Sequence, residues 1–179
     1  MKFYSSIRKV NLEKNIVRRA WDFAEKVTAT TNYSDSNQSL FKKIKDDHFV
    51  SKLGEEAAKI ILSEFGEVKG PDYGIYETKQ KSWDDDIFVN EIGLAVKTQR
   101  RTAAKKYSLS WTFQCSKLRK DTILHKPDAW VVFVEYDDTS PYNCYVYPPY
   151  QIKNLFFAEP KLPHLKEHKK VVYAAMLPG

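Results

Sequence analysis

Three consecutive aspartates, Asp84, Asp85 and Asp86, open the short apolar run Ile87-Phe88-Val89, and Lys97 follows the next one, Leu94-Ala95-Val96. Between the runs, Asn90-Glu91-Ile92-Gly93 reads as a turn, so the segment is expected to form a β-hairpin. With Val89 opposite Leu94, Asp86 falls across from Lys97, Asp84 from Gln99 and Phe88 from Ala95. Opposed side chains share a face with Cβ atoms ~5 Å apart. A carboxylate and an ammonium held on rigid strands can bind a divalent cation and position a water or a phosphate beside it. A register one residue different would set Asp85 opposite Lys97 and turn Asp86 to the other face.

The elements around the hairpin must hold it. Leu12, Ile16, Arg19, Ala20, Phe23 and Val27 recur at helical spacing and predict a helix from about Asn11 to Thr28, followed by a polar loop, Ala29 to Ser39. A second helix is expected from a cap at Asp47 or Ser51 to about Phe65, with Val50, Leu53, Ala57, Ile60, Ile61 and Phe65 facing the core and Gly66 ending it. Glu55 lies off that stripe, beside Ala58 and Leu62. The stretch Val68 to Tyr76 and a lysine-rich connector, Glu77 to Trp83, lead into the hairpin. Beyond it come a basic run, Arg100 to Lys106, and the alternating Tyr107 to Phe113, whose aromatic residues at period two read as core. Ala129 to Tyr136 is apolar on both faces and should be a central strand; Asn143 to Tyr147 is another, and Val171 to Met176 a last strand or short helix.

The 179 residues suit one domain, and 42% hydrophobic with 14% aromatic content argues against disorder. We read residues 1–179 as one domain, with a core at about 49–136, an N-terminal helical extension at 1–48 and C-terminal strands within 142–179. A formal charge of +6 favours a polyanionic partner, because lysines and arginines that neutralise phosphates release condensed counterions. Arg100, Arg101, Lys105 and Lys106 are the expected phosphate contacts. Cys115 and Cys144 lack zinc-ligand spacing, no secretory signal is visible and no stretch approaches the ~20 apolar residues of a membrane span. A cytoplasmic protein with no membrane partner and no small-molecule cofactor is the expectation, in keeping with a bacterial or phage origin.

The order of helix with Glu55, strand, strand with the aspartates, strand with Val96-Lys97 and then the buried strand near Trp130 resembles the PD-(D/E)XK nuclease superfamily. The resemblance covers roughly residues 49 to 136. It implies an α/β (α+β) fold, a restriction-endonuclease-like mixed central β-sheet flanked by helices, and metal-dependent hydrolysis of DNA phosphodiester bonds by an endonuclease. In that family an acidic residue on the second core strand and another two before a lysine on the third bind magnesium, for which manganese substitutes. Carried over, Asp86 is the metal ligand, Lys97 the catalytic lysine and Glu55 the helical carboxylate. The position two before Lys97 is Ala95, a departure that Glu55, the amide of Gln99 and the backbone carbonyl of Val96 would have to make good. Asp72, in a literal Pro71-Asp72 dipeptide, and Asp85 are candidates for lining the site.

One site per domain implies a homodimer or two successive events for cutting both strands. Ala95 motivates a second expectation, a non-catalytic DNA-binding or assembly protein that keeps the nuclease fold. A third is a protein-binding surface built on Tyr142, Tyr145, Tyr147 and Tyr150.

Overall fold

The structure is a computed structural model that describes residues 3–30, 41–76, 85–117, 120–140 and 142–178. Asp84, the connector at 77–83 and most of the polar segment at 29–39 lie outside the described residues. Among the described residues the architecture is mixed α/β, with three α-helices and a mixed seven-stranded sheet.

The hairpin forms, but in a different register. Strand β3 (Ile87–Val89) pairs antiparallel with β4 (Ile92–Arg100) so that Ile87 faces Leu94, Phe88 faces Gly93 and Val89 faces Ile92. The turn is only Asn90-Glu91, both at positive φ (45° and 69°), the two-residue geometry whose twist matches that of the flanking strands. Asn90 is fixed from outside, its N–H donating to Glu67 O and its Oδ1 accepting from Glu67 N, each at 3.0 Å. Gly93 therefore is a strand residue rather than part of the turn, and the pairing moves by two positions. Because the shift is even, every side chain keeps its face.

Before the hairpin, β2 (Val68–Lys69) adds antiparallel to β3. After it, β6 (Trp130–Asp137) lies parallel to β4 over seven residue pairs, from Leu94↔Trp130 to Arg100↔Tyr136. This is the central strand that its apolar run predicted. Strands β7 (Asn143–Val146) and β1 (Arg8–Asn11) extend the sheet antiparallel on its far side, and β8 (Tyr150–Gln151) pairs with the start of β6. The sheet order is β1-β7-β6-β4-β3-β2. The expected N-terminal helical segment thus also supplies an edge strand. Cys144 of β7, wholly buried, sits opposite Val10 on one side and Tyr136 on the other.

Helices α1 (Lys14–Thr30) and α2 (Phe41–Leu62) cover one face of the sheet. Helix α2 starts well before the expected cap, so Asp47 and Ser51 are interior to it. Its second half is buried almost all round, wedged between α1 and the sheet, although Ile60 is exposed. Gly54 makes this possible: a Cβ there would stand 1.8 Å from Thr98 Oγ1 of β4. The other face is covered by a two-stranded ribbon, β5 (Ser110–Gln114) with β9 (Lys169–Tyr173). Trp111, Phe113, Phe133 and Val172 form that second core, with the Trp111 and Phe133 rings stacked at 4.5 Å. Most of the basic run forms the short helix α3 (Arg101–Tyr107). No described helix is long and apolar enough to cross a membrane.

Candidate active site

Strand β3 begins at Ile87, opposite Leu94, whereas β4 runs on to Arg100, so from Ala95 onward the outer edge of β4 has no β3 partner. Asp86 fills the gap. Its Oδ2 accepts the Val96 N–H at 2.7 Å, which satisfies a backbone donor that the sheet would otherwise leave open. Asp86 does not lie opposite Lys97; continued, the register would set it beside Ala95. The described contact at Val96 is its amide donating to Asp86. Asp85 lies over Gly93, where a side chain would meet Asp85 Oδ2 at 1.8 Å.

Glu55 approaches Asp86 from the helical side. It is only 3% exposed, its Oε1 accepts from Ser51 Oγ at 3.1 Å, and its Oε2 accepts from Lys52 Nζ at 2.5 Å. Burial, and then the negative charge of Asp86, push the Glu55 carboxyl up to about 7, against the opposing pull of Lys52 and Ser51. Asp86 is also raised, by burial first; the Val96 N–H, Lys97 and Lys52 pull it down and Asp85 pushes it up. Two neighbouring carboxyls, one buried and one half-buried, repel each other when both are ionised.

Lys97 leaves β4 on the face away from α2, its ammonium 2.7 Å from Asp121 Oδ2 and 4.9 Å from the centre of the Phe113 ring. Asp121 also accepts the Gln114 N–H at 3.2 Å, which ties this pair to the β5–β9 ribbon. Lys169, beside Gln114 across that ribbon, is pushed down by burial first and then by Lys43 and Lys97. Lys43 in turn pairs with Asp47 at 2.7 Å. Sequence reasoning named none of Lys43, Asp121 or Lys169, because their convergence on Lys97 depends on long-range packing.

The other expected site residues divide. Gln99 is committed to β5: its Oε1 accepts the Ser110 N–H at 2.8 Å. Arg100 donates to the Asp46 carbonyl at 3.1 Å. Arg101 is held by Glu135 at 2.8 Å, by Asp137 and over the Tyr145 ring, an anchoring arrangement rather than a free phosphate contact. Lys105 and Lys106 are exposed on α3. Asp72 sits at the rim, where the Gly74 N–H and the Tyr76 hydroxyl hold its carboxyl low. Tyr147 and Tyr150 pack against the second core.

A neighbouring set was not foreseen. Buried Glu56 accepts from Arg19 and, at 2.9 Å, from the Tyr73 hydroxyl, while the Arg19 guanidinium lies 4.6 Å from the Tyr73 ring centre. These contacts pin the segment after β2 to both helices, beside Lys52.

Glu55 and Asp86 fit a magnesium ion that keeps most of its waters, a cation that needs only one or two protein carboxylates. Among the described residues no group of three His, Cys, Asp or Glu side chains forms a fuller cage. Compared with family models, curated proteins and solved structures, the chain matches none.

Proposed function

We propose that the chain is a magnesium-dependent endonuclease that hydrolyses DNA phosphodiester bonds, with Glu55, Asp86 and Lys97 as its working residues. The observation that carries this reading is the pairing of buried Glu55 with half-buried Asp86 at the point where β3 leaves β4, with Lys97 close enough to act on Asp86. The order of elements supports it: helix α2, the antiparallel β2-β3-β4, helix α3 and then β6 parallel to β4. Apart from α3, that is the order on which the PD-(D/E)XK resemblance rests, and the restriction-endonuclease-like fold belongs to the same proposal.

A bound divalent cation would polarise a phosphate oxygen and lower the pKa of a coordinated water. Glu55 and Asp86 would hold it, the repulsion between their charges relieved by its own. Lys97, 27% exposed, reaches the opposite face of the sheet edge, where its ammonium orients the attacking water and offsets charge on the phosphorane-like transition state. Lys43 and Lys169, flanking the Lys97–Asp121 pair, are better placed than Arg101 for phosphates beside the cut. Cutting both strands calls for a dimer or two successive encounters.

One observation favours a second reading. With Ala95 in place of an acidic residue and Lys97 already bonded to Asp121, the same fold can serve a DNA-binding protein that does not cut. Incubating wild-type, Asp86→Ala and Lys97→Ala proteins with plasmid and short linear DNA, in magnesium, manganese or EDTA, separates the two. Metal-dependent cutting that both substitutions abolish, with circular dichroism unchanged, is the expected result. Binding without cutting under every metal would refute the enzyme and leave the binding protein.

A further inference from the structure

Glu55 already touches a cation, and that cation belongs to the chain. Lys52 lies one helical turn before Glu55, its Nζ 2.5 Å from Glu55 Oε2, and is only 8% exposed. Lysine is rarely so buried without a partner. Aromatic rings close over its ammonium from the α1 side, Phe23 at 4.9 Å and Tyr73 at 5.3 Å from the ring centres. Tyr73 is itself fixed by its hydrogen bond to Glu56. From this position the ammonium acts on Asp86 and on Asp72 as well as on Glu55. Carboxylates from α2, from the segment after β2 and from the start of β3 thus surround a single positive charge.

We propose that Lys52 is a resident counter-ion that occupies the cation position beside Glu55 and Asp86 and gives up Glu55 when a divalent cation binds. The inference rests on the reading of Glu55 and Asp86 as the metal pair. Glu55 Oε2 cannot keep so short a contact to an ammonium while also ligating a metal, because the two cations would then stand within a few ångströms of each other. Asp72, at the rim, offers the released ammonium a nearby partner. Without metal, Lys52 draws together two carboxylates that would otherwise push apart. With metal, it is the competitor that sets how much cation the site requires.

The test measures manganese binding to the full chain by electron paramagnetic resonance, without DNA and at mildly alkaline pH. It compares wild type with Lys52→Met, Lys52→Gln and Lys52→Arg. Both uncharged variants should bind manganese at least about tenfold more tightly, since a hydrogen bond between charged groups is worth on the order of that factor. Lys52→Arg should bind no more tightly than wild type. Lys52→Gln keeps a donor for Glu55 and serves if the Met variant fails to fold. Wild-type binding that is unchanged or weakened in the uncharged variants would overturn the proposal. If no protein, wild type included, binds manganese, the metal reading of Glu55 and Asp86 is what has failed, and this inference falls with it.

Discussion

Replacing Glu55 with glutamine should make the protein inactive yet more stable in alkaline solution. In the folded chain the Glu55 carboxyl is pushed up to about 7 from an ordinary value of 4.5, by burial first and by Asp86 second. The folded state therefore binds this proton more tightly than the unfolded chain does. Its contribution to stability is fully present below 4.5, declines as pH rises through the window and is gone above about 7. The separation corresponds to about 3 kcal/mol at roughly 1.4 kcal/mol per pH unit. For a chain of this length 1 kcal/mol shifts Tm by roughly 2–4 °C, so the expected effect is about 6–12 °C. Glutamine stands in for the protonated carboxyl, so wild type and Glu55→Gln should melt together in acid and diverge as pH rises, the variant higher. Thermal melts in EDTA at about pH 4.5 and about pH 8, followed by far-UV circular dichroism, give the difference directly, and contributions from other titrating groups largely cancel. Parallel Tm curves across that range would refute the argument. Saturating manganese should raise the wild-type Tm and leave the variant where it was, because a ligand stabilises only the state that binds it.

Three further outcomes are expected. Arg101→Met should cost about 1–3 kcal/mol in urea unfolding, because it strands Glu135 and Asp137, while the salt dependence of DNA binding stays unchanged. Lys169→Met, in contrast, should flatten that salt dependence by roughly 0.9 in log–log slope if the lysine contacts one phosphate, as fluorescence anisotropy on a short duplex would measure. Gly54→Ala should destabilise by about 1–3 kcal/mol through overpacking against Thr98, an effect partly offset by ~1 kcal/mol of helix preference. Adding Thr98→Ala should return most of that loss, because the Thr98 hydroxyl is buried with no hydrogen-bond partner and is the atom nearest the new methyl.

Apolar patterning made the architecture legible wherever a local period decided it. The run at 129–136 could only be a doubly covered strand, and it is β6, at the centre of the sheet. The hairpin was equally visible, but not its register. Gly93 resembles a turn residue, whereas its missing side chain serves to admit Asp85, and the actual turn holds Asn90 and Glu91 in the left-handed region, which glutamate rarely adopts. Helix α3 was hidden because six basic and small residues and a tyrosine, with nothing buried, carry no apolar stripe. Lysine and arginine were the least legible of all. A basic side chain in a sequence carries no mark of its anion, so Lys52 was not singled out at all and Arg101 read as a phosphate contact. The partners that decide their roles, Tyr73 and Asp86 for one, Glu135 and Asp137 for the other, lie more than 20 residues away. Glu55 and Asp86 lie near each other because their expected proximity rested on the order of elements, which is robust to a two-residue slip.

Cys144 gives the fold a chemical clock. Its thiol is wholly enclosed between β1 and β6, and burial pushes its pKa up to about 12, so it offers almost no thiolate to a reagent while the sheet is intact. Cys115, by contrast, is partly exposed at the end of β5. A slow alkylating agent therefore marks Cys115 first and Cys144 only when β1 lifts away from β7. The interval between the two reactions times how often this edge of the molecule opens, with no label other than the sulfur already there.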